Sequence, residues 1–154
     1  MPHIHRTGPV DQITVPVKLT GAVPTSTIQQ GDLVAMVSGF AVPATVFPWT
    51  TDEATTQAAF AAVFVGMSNA RSRVATTDAR DLEIGVTMSG EIEMDSVSAV
   101  YNVGDYVGCN SSASLLLQQV KGVATKARSI GIVVRKEVTA TTRILVRLIT
   151  VDER

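Results

Sequence analysis

Strict alternation of apolar and polar residues over short stretches, each cut off by glycine, is the pattern that most limits this chain. Leu82, Ile84, Val86 and Met88 alternate with Glu83, Gly85 and Thr87. A period of two puts those apolar side chains on one face of an extended strand and does not suit a helix. The pattern recurs at Ile13, Val15, Val17 and Leu19, and again at Ile144, Val146 and Leu148. Shorter apolar runs lie near residues 33–37, 63–66, 100–103, 106–108, 115–120 and 130–134, most of them bounded by Gly. About eight to ten strands at roughly 8–12-residue spacing are the signature of a barrel or sandwich.

Local signals refine this all-β reading. Ser89-Gly90 between two alternating runs predicts a tight hairpin, with Glu91, Glu93 and Asp95 on the outer face of its second strand. Residues 41–51, with Pro43 and Pro48, read as loop, and so do the polar residues 68–81. Thr50 stands three residues before Glu53, a capping-box spacing that predicts one short helix over residues 54–61. Pro16 lacks an N–H, so the strand around it belongs at an edge or in an arm. The expected organisation is an N-terminal arm over residues 1–20 and a single β domain over residues 21–154. The turns Gly31-Asp32-Leu33-Val34 and Gly104-Asp105-Tyr106-Val107 echo one another, but such turns are common in barrels.

Composition narrows the function classes. Net charge is −1, so no global field draws in nucleic acid or an anionic membrane. Charged residues make up 18% of the chain, less than the usual quarter, which suits surface buried in an assembly. No apolar run approaches the length that spans a bilayer, and the polar, Pro-broken first residues argue against a secretory leader. Cys109 is the one cysteine, so a disulfide framework is excluded and synthesis in a reducing cytoplasm is expected.

The inventory for catalysis is thin. His3 and His5 are the only histidines, with no third ligand nearby, so no metal site is expected. The Glu91, Glu93 and Asp95 row lies on one strand face, whereas glycosidase carboxylates face each other across a substrate. Phosphate-binding glycine loops are absent. Arg71, Arg73 and Arg80 are interrupted by Asp78 and Asp81 and lack stacking aromatics, so they read as a solvated loop or one that docks on a protein. Cys109 reads as a small buried hydrophobe. No catalytic residue, cofactor or small-molecule substrate is expected.

Several segments resemble structural proteins of tailed bacteriophages. They are Phe47-Pro48-Trp49-Thr50-Thr51-Asp52, then residues 54–60, Phe64-Val65-Gly66-Met67, Arg71-Ser72-Arg73, residues 101–108, Ile130-Gly131-Ile132-Val133 and Arg143-Ile144-Leu145-Val146-Arg147-Leu148. The resemblance is to head-decoration, or cement, proteins. It implies a compact β-barrel or β-tulip unit, often a homotrimer, that is made in the host bacterial cytoplasm and coats the virion capsid surface. The partner it implies is the major capsid protein, gripped by an N-terminal arm that here would use Ile13, Val15, Val17 and Leu19. Arg71, Arg73 and Arg80 would supply a docking loop. Another phage part (tail, fibre or connector) is the alternative, and a trimeric β-barrel enzyme a more distant one.

Overall fold

A computed structural model describes residues 4–7, 11–17, 28–69 and 82–153. It holds eleven strands and one α-helix among the described residues. In chain order they are β1 (Ile4–Thr7), β2 (Gln12–Val17), β3 (Leu33–Val37), β4 (Phe40–Pro43), α1 (Glu53–Ala62), β5 (Phe64–Ser68), β6 (Leu82–Thr87), β7 (Glu91–Tyr101), β8 (Tyr106–Ser112), β9 (Leu115–Gly122), β10 (Gly131–Val133) and β11 (Glu137–Leu148). The all-β expectation with one short helix holds.

The strands form two sheets of matching order. One runs β2-β6-β5-β3-β4, the other β7-β11-β10-β8-β9 with β1 added outside β7. A parallel contact of Ser96 with Val120 joins β7 to β9 and closes the second sheet into a five-stranded barrel. In the first sheet the end strands β4 and β2 come near one another, with no strand pairing between them among the described residues.

The correspondence extends to register. Val34 stands opposite Gly66 as Val107 stands opposite Gly131, and Leu33 opposite Met67 as Tyr106 opposite Ile132. Ile13 pairs with Val86 as Ile92 pairs with Val146. The same backbone bonds close each unit: Met88 N–H to the Asp11 carbonyl at 2.8 Å, and Leu148 N–H to the Gly90 carbonyl at 3.3 Å. The chain is therefore a tandem repeat of one five-stranded unit, residues 11–88 followed by residues 90–148. The Gly-Asp echo marks equivalent points of the two copies. Helix α1 is peculiar to the first copy. It lies between β4 and β5, where the second copy has only a short 3-10 turn, Lys126–Arg128, between β9 and β10.

Four local expectations are corrected. The hairpin at Ser89-Gly90 does not form: β6 pairs with β2 and β5, while β7 pairs with β11 and β1, so Gly90 (φ 109°) is where the chain passes between units. Alternation identified both strands but says nothing about partners. Residues 41–51 are not all loop, because Ser38 and Gly39, both at positive φ, turn the chain at once into β4 against β3. The helix cap is Asp52, whose Oδ1 accepts the Thr55 N–H at 2.8 Å. Thr50 instead hydrogen-bonds Thr56 Oγ1 at 2.9 Å. Finally, residues 12–17 are not a detached arm. They pair along β6 as an edge strand of the chain's own first sheet, with Val15 and Val17 buried. Pro16 is tolerated because that strand is an edge.

Two apolar clusters form the core. The larger fills the closed barrel and continues under α1, with Phe60 edge-on to Phe47 at a centroid distance of 5.1 Å and 5.8 Å from Phe64. The smaller contains Val15, Val17, Ile28, Val34, Ile84 and Val86 and fills the first sheet. At the equivalent glycines, backbone comes too close for a side chain. A Cβ on Gly66 would lie 2.0 Å from the Thr87 carbonyl oxygen, and one on Gly131 2.2 Å from Val146 Cγ1 and 2.8 Å from the Arg147 carbonyl oxygen. Gly66→Ala and Gly131→Ala should each cost about 1–3 kcal/mol or more by overpacking, measured by urea denaturation.

Candidate functional site

Three places gather polar or exposed apolar side chains. The first is the seat of α1 on the second unit. Gln57 is buried, and its Nε2 donates to the Cys109 carbonyl at 2.6 Å and to Glu53 Oε1 at 3.0 Å. Its Oε1 accepts from Arg128 Nε at 3.0 Å. Glu53 also pairs with Lys121, and its Oε2 accepts from Ser111 Oγ at 2.8 Å. The helix thus reaches β8, β9 and the turn after β9 through a single connected polar network.

Hydroxyl, carboxylate and amine meet here, yet the arrangement is poor for nucleophilic catalysis. Burial pushes the Glu53 carboxyl up, but hydrogen bonds from Lys121 and Ser111 and the charges of Lys121 and Arg128 outweigh it and leave the group below its ordinary value. A carboxylate held in that way is a weak base for the Ser111 proton. The network is a docking device. Because the folded carboxyl titrates below the ordinary 4.5, its contribution to stability is present above that pH and is lost as pH falls through the lower folded value. Glu53→Gln should therefore lower stability at pH 7 and flatten its fall below about pH 4.5, read from denaturation midpoints across pH.

Cys109 is buried in the barrel, and loss of hydration pushes its thiol well above the ordinary range. No thiolate nucleophile is available there. The native thiol should stay unreactive towards a thiol-specific chromophore at pH 8 and react only on unfolding.

The second place is a pocket of about 390 Å³ beside the β7–β9 contact, bordered by Asp95, Gln118, Gln119 and Thr142. Three of its polar side chains are held by bonds along the barrel wall or across to β3 of the first sheet. Asp95 accepts from Arg143 Nε at 3.1 Å, Gln118 Oε1 accepts the Leu33 N–H at 2.6 Å, and Gln119 Nε2 donates to the Ser96 carbonyl at 3.1 Å. The acidic row of β7 is thus part of a cross-strand ladder, since Arg143 Nη1 also reaches Glu93 at 2.9 Å and Arg147 stands opposite Glu91.

The third place is the open end of the second barrel. Beyond Ser96 and Val120, β7 and β9 diverge around a cleft of about 350 Å³ bordered by residues 99–101, 104–106 and 122–124. Val100 is 54%, Val103 64% and Val138 79% exposed at this end. Val138 follows Glu137, which pairs with Tyr101, so Val138 and Val100 stand near one level on adjacent strands. The register of β11 against β7 shifts here, which carries Val100 and Val138 out of the barrel wall, while Val103 stands in the turn before β8. Sequence reading missed them because an exposed valine and a buried one look alike in an alternating run.

Of the residues singled out from sequence, Val15 and Val17 are core and Ile13 is 37% exposed. Leu19, Arg71, Arg73 and Arg80 lie outside the described residues. Among the described residues there is no group of three metal-ligating side chains, and no helix long and apolar enough to cross a membrane. Comparison with known protein families, with characterised proteins and with solved structures finds no match.

Proposed function

We propose that this chain is a capsid-decoration protein of a tailed bacteriophage, binding the outside of the shell of major capsid protein and stabilising it. The observation that carries the reading is the exposed apolar end of the second barrel, where Val100 borders the cleft and Val103 and Val138 are exposed on the neighbouring turn and strand. Exposed apolar side chains at one end of a closed barrel suit docking on protein. The resemblance of residues 47–67 and 101–148 to phage structural proteins supports the shell as that protein. A cement protein needs contact surface more than a reactive pocket, and the low charge of the chain suits that. On this reading the protein works as a homotrimer, as the resemblance to cement proteins implies, and closed symmetry would keep that association finite.

Electron cryomicroscopy of particles incubated with the purified chain tests the proposal, with density expected on the outside of heads. Val100→Asp combined with Val138→Asp should leave the fold intact, since both side chains are exposed, and weaken particle binding at least about tenfold. Density on tails alone, or unchanged coating by the double variant, would sink this assignment.

A further inference from the structure

The two copies of the repeat differ in what covers the outer edge of their first strand. In the second copy β1 lies antiparallel along β7, with Ile4 opposite Glu93, His5 opposite Ile92 and Thr7 opposite Glu91. The equivalent positions in the first copy are Thr14, Ile13 and Gln12, because Gln12, Ile13 and Thr14 pair with Thr87, Val86 and Gly85 as Glu91, Ile92 and Glu93 pair with Arg147, Val146 and Leu145. Among the described residues no strand pairs with β2 on the side away from β6 over residues 12–14. Closure does not use this stretch either. The β7–β9 contact falls at Ser96, whose equivalent in the first copy is Val17.

From this equivalence we infer that the outer edge of β2 over residues 12–14 is a strand-docking site, whose occupant is an extended antiparallel segment of the protein on which the chain assembles. An edge of backbone N–H and C=O groups is completed by another polypeptide strand, which supplies both donor and acceptor in alternation. The second copy shows the form this takes, with β1 as occupant. That β1 is already used at β7 points to another chain as the source for β2. Ile13, 37% exposed, gives the incoming strand an apolar side chain to pack on. The edge follows from the repeat alone; only the ownership of the strand by a shell subunit rests on the capsid reading.

The test titrates the isotope-labelled full chain with a synthetic peptide of its own residues 1–9, which contains β1, the strand that pairs with the equivalent edge. Saturable amide shifts and slowed hydrogen exchange are expected at residues 12–14. Ile13→Lys should keep the fold and weaken peptide binding several-fold, since it replaces the apolar side chain at the position whose equivalent, Ile92, stands opposite His5 of β1. Shifts confined to residues 91–93, meaning that the peptide only displaces β1, or no shift at all, overturn the docking edge. So does undiminished binding to a folded Ile13→Lys chain. If that variant loses the peptide and yet coats heads as the natural chain does, the edge stands and its assignment to a shell subunit falls.

Discussion

Each unit of the structure hangs on one paired clamp between a Gly-Asp turn and a neighbouring strand. Gly31 N–H donates to the Ser68 carbonyl and Ser68 N–H to the Asp32 carbonyl, both at 2.8 Å. Gly104 and Val133 exchange the same bonds, with the Val133 N–H going to the Asp105 carbonyl, all at 2.9 Å. In both turns the aspartate side chain accepts the N–H three residues back, from Gln29 or Asn102, at 2.8 Å. The glycines sit at φ 88° and 94°, a region that other residues enter at a cost. The clamp sets where β3 and β8 begin. That choice of start places Val34 against Gly66 and Val107 against Gly131, the points of closest approach. Barrel closure follows from this register, because strands of fixed stagger have only one way to meet.

Helix α1 shows how the symmetry of the repeat is broken without loss of the core. Inserted before β5, it brings Phe60 to the Phe47 and Phe64 rings and seals the larger cluster. Its polar side would leave Gln57 buried, and an unpaired buried amide costs free energy. The Cys109 carbonyl, Glu53 and Arg128 meet that requirement from the helix itself, β8 and the Lys126–Arg128 turn. Apolar burial supplies most of the attraction, while the polar network selects one seating of the helix over others of similar area. The helix of the first copy thereby ties down the second.

The sequence displays some of this openly and hides the rest for physical reasons. Alternation at residues 83–86 and at Ile144, Val146 and Leu148 is legible because Ile84, Val86, Ile144, Val146 and Leu148 are buried while Glu83 and Arg147 beside them are exposed. Pairing is not legible, because an alternating strand suits any neighbour of matching face. Ser89-Gly90 therefore looks like a hairpin although it joins two units. The repeat is muted for a similar reason: what recurs is backbone geometry, which only glycine and aspartate report by residue type. Equivalent core positions exchange Val for Ile or Met freely, as at Val15 and Met94. The insertion of α1 also changes the spacing between equivalent positions, so no constant period survives. At the candidate surface, Val100 and Val138 carry no local mark, since their exposure goes with a register shift between β7 and β11, and Val103 stands in the turn that follows β7.

The two units differ most in their edges. A closed barrel has no edge to offer, and the second unit is closed by the β7–β9 contact with β1 covering part of what remains. The first unit is built to the same plan, but its first strand carries Pro16 and stands at the end of its sheet. Proline on an edge limits how far pairing can extend, which guards against open-ended sheet growth. It leaves the short stretch before it, residues 12–14, able to accept one strand and no more. An edge limited in this way gives a bounded contact, directional through backbone hydrogen bonds and tuned by one half-exposed apolar side chain, Ile13. Repetition followed by unequal covering of the two copies is thus a physical route from a self-contained fold to one that completes itself on a partner.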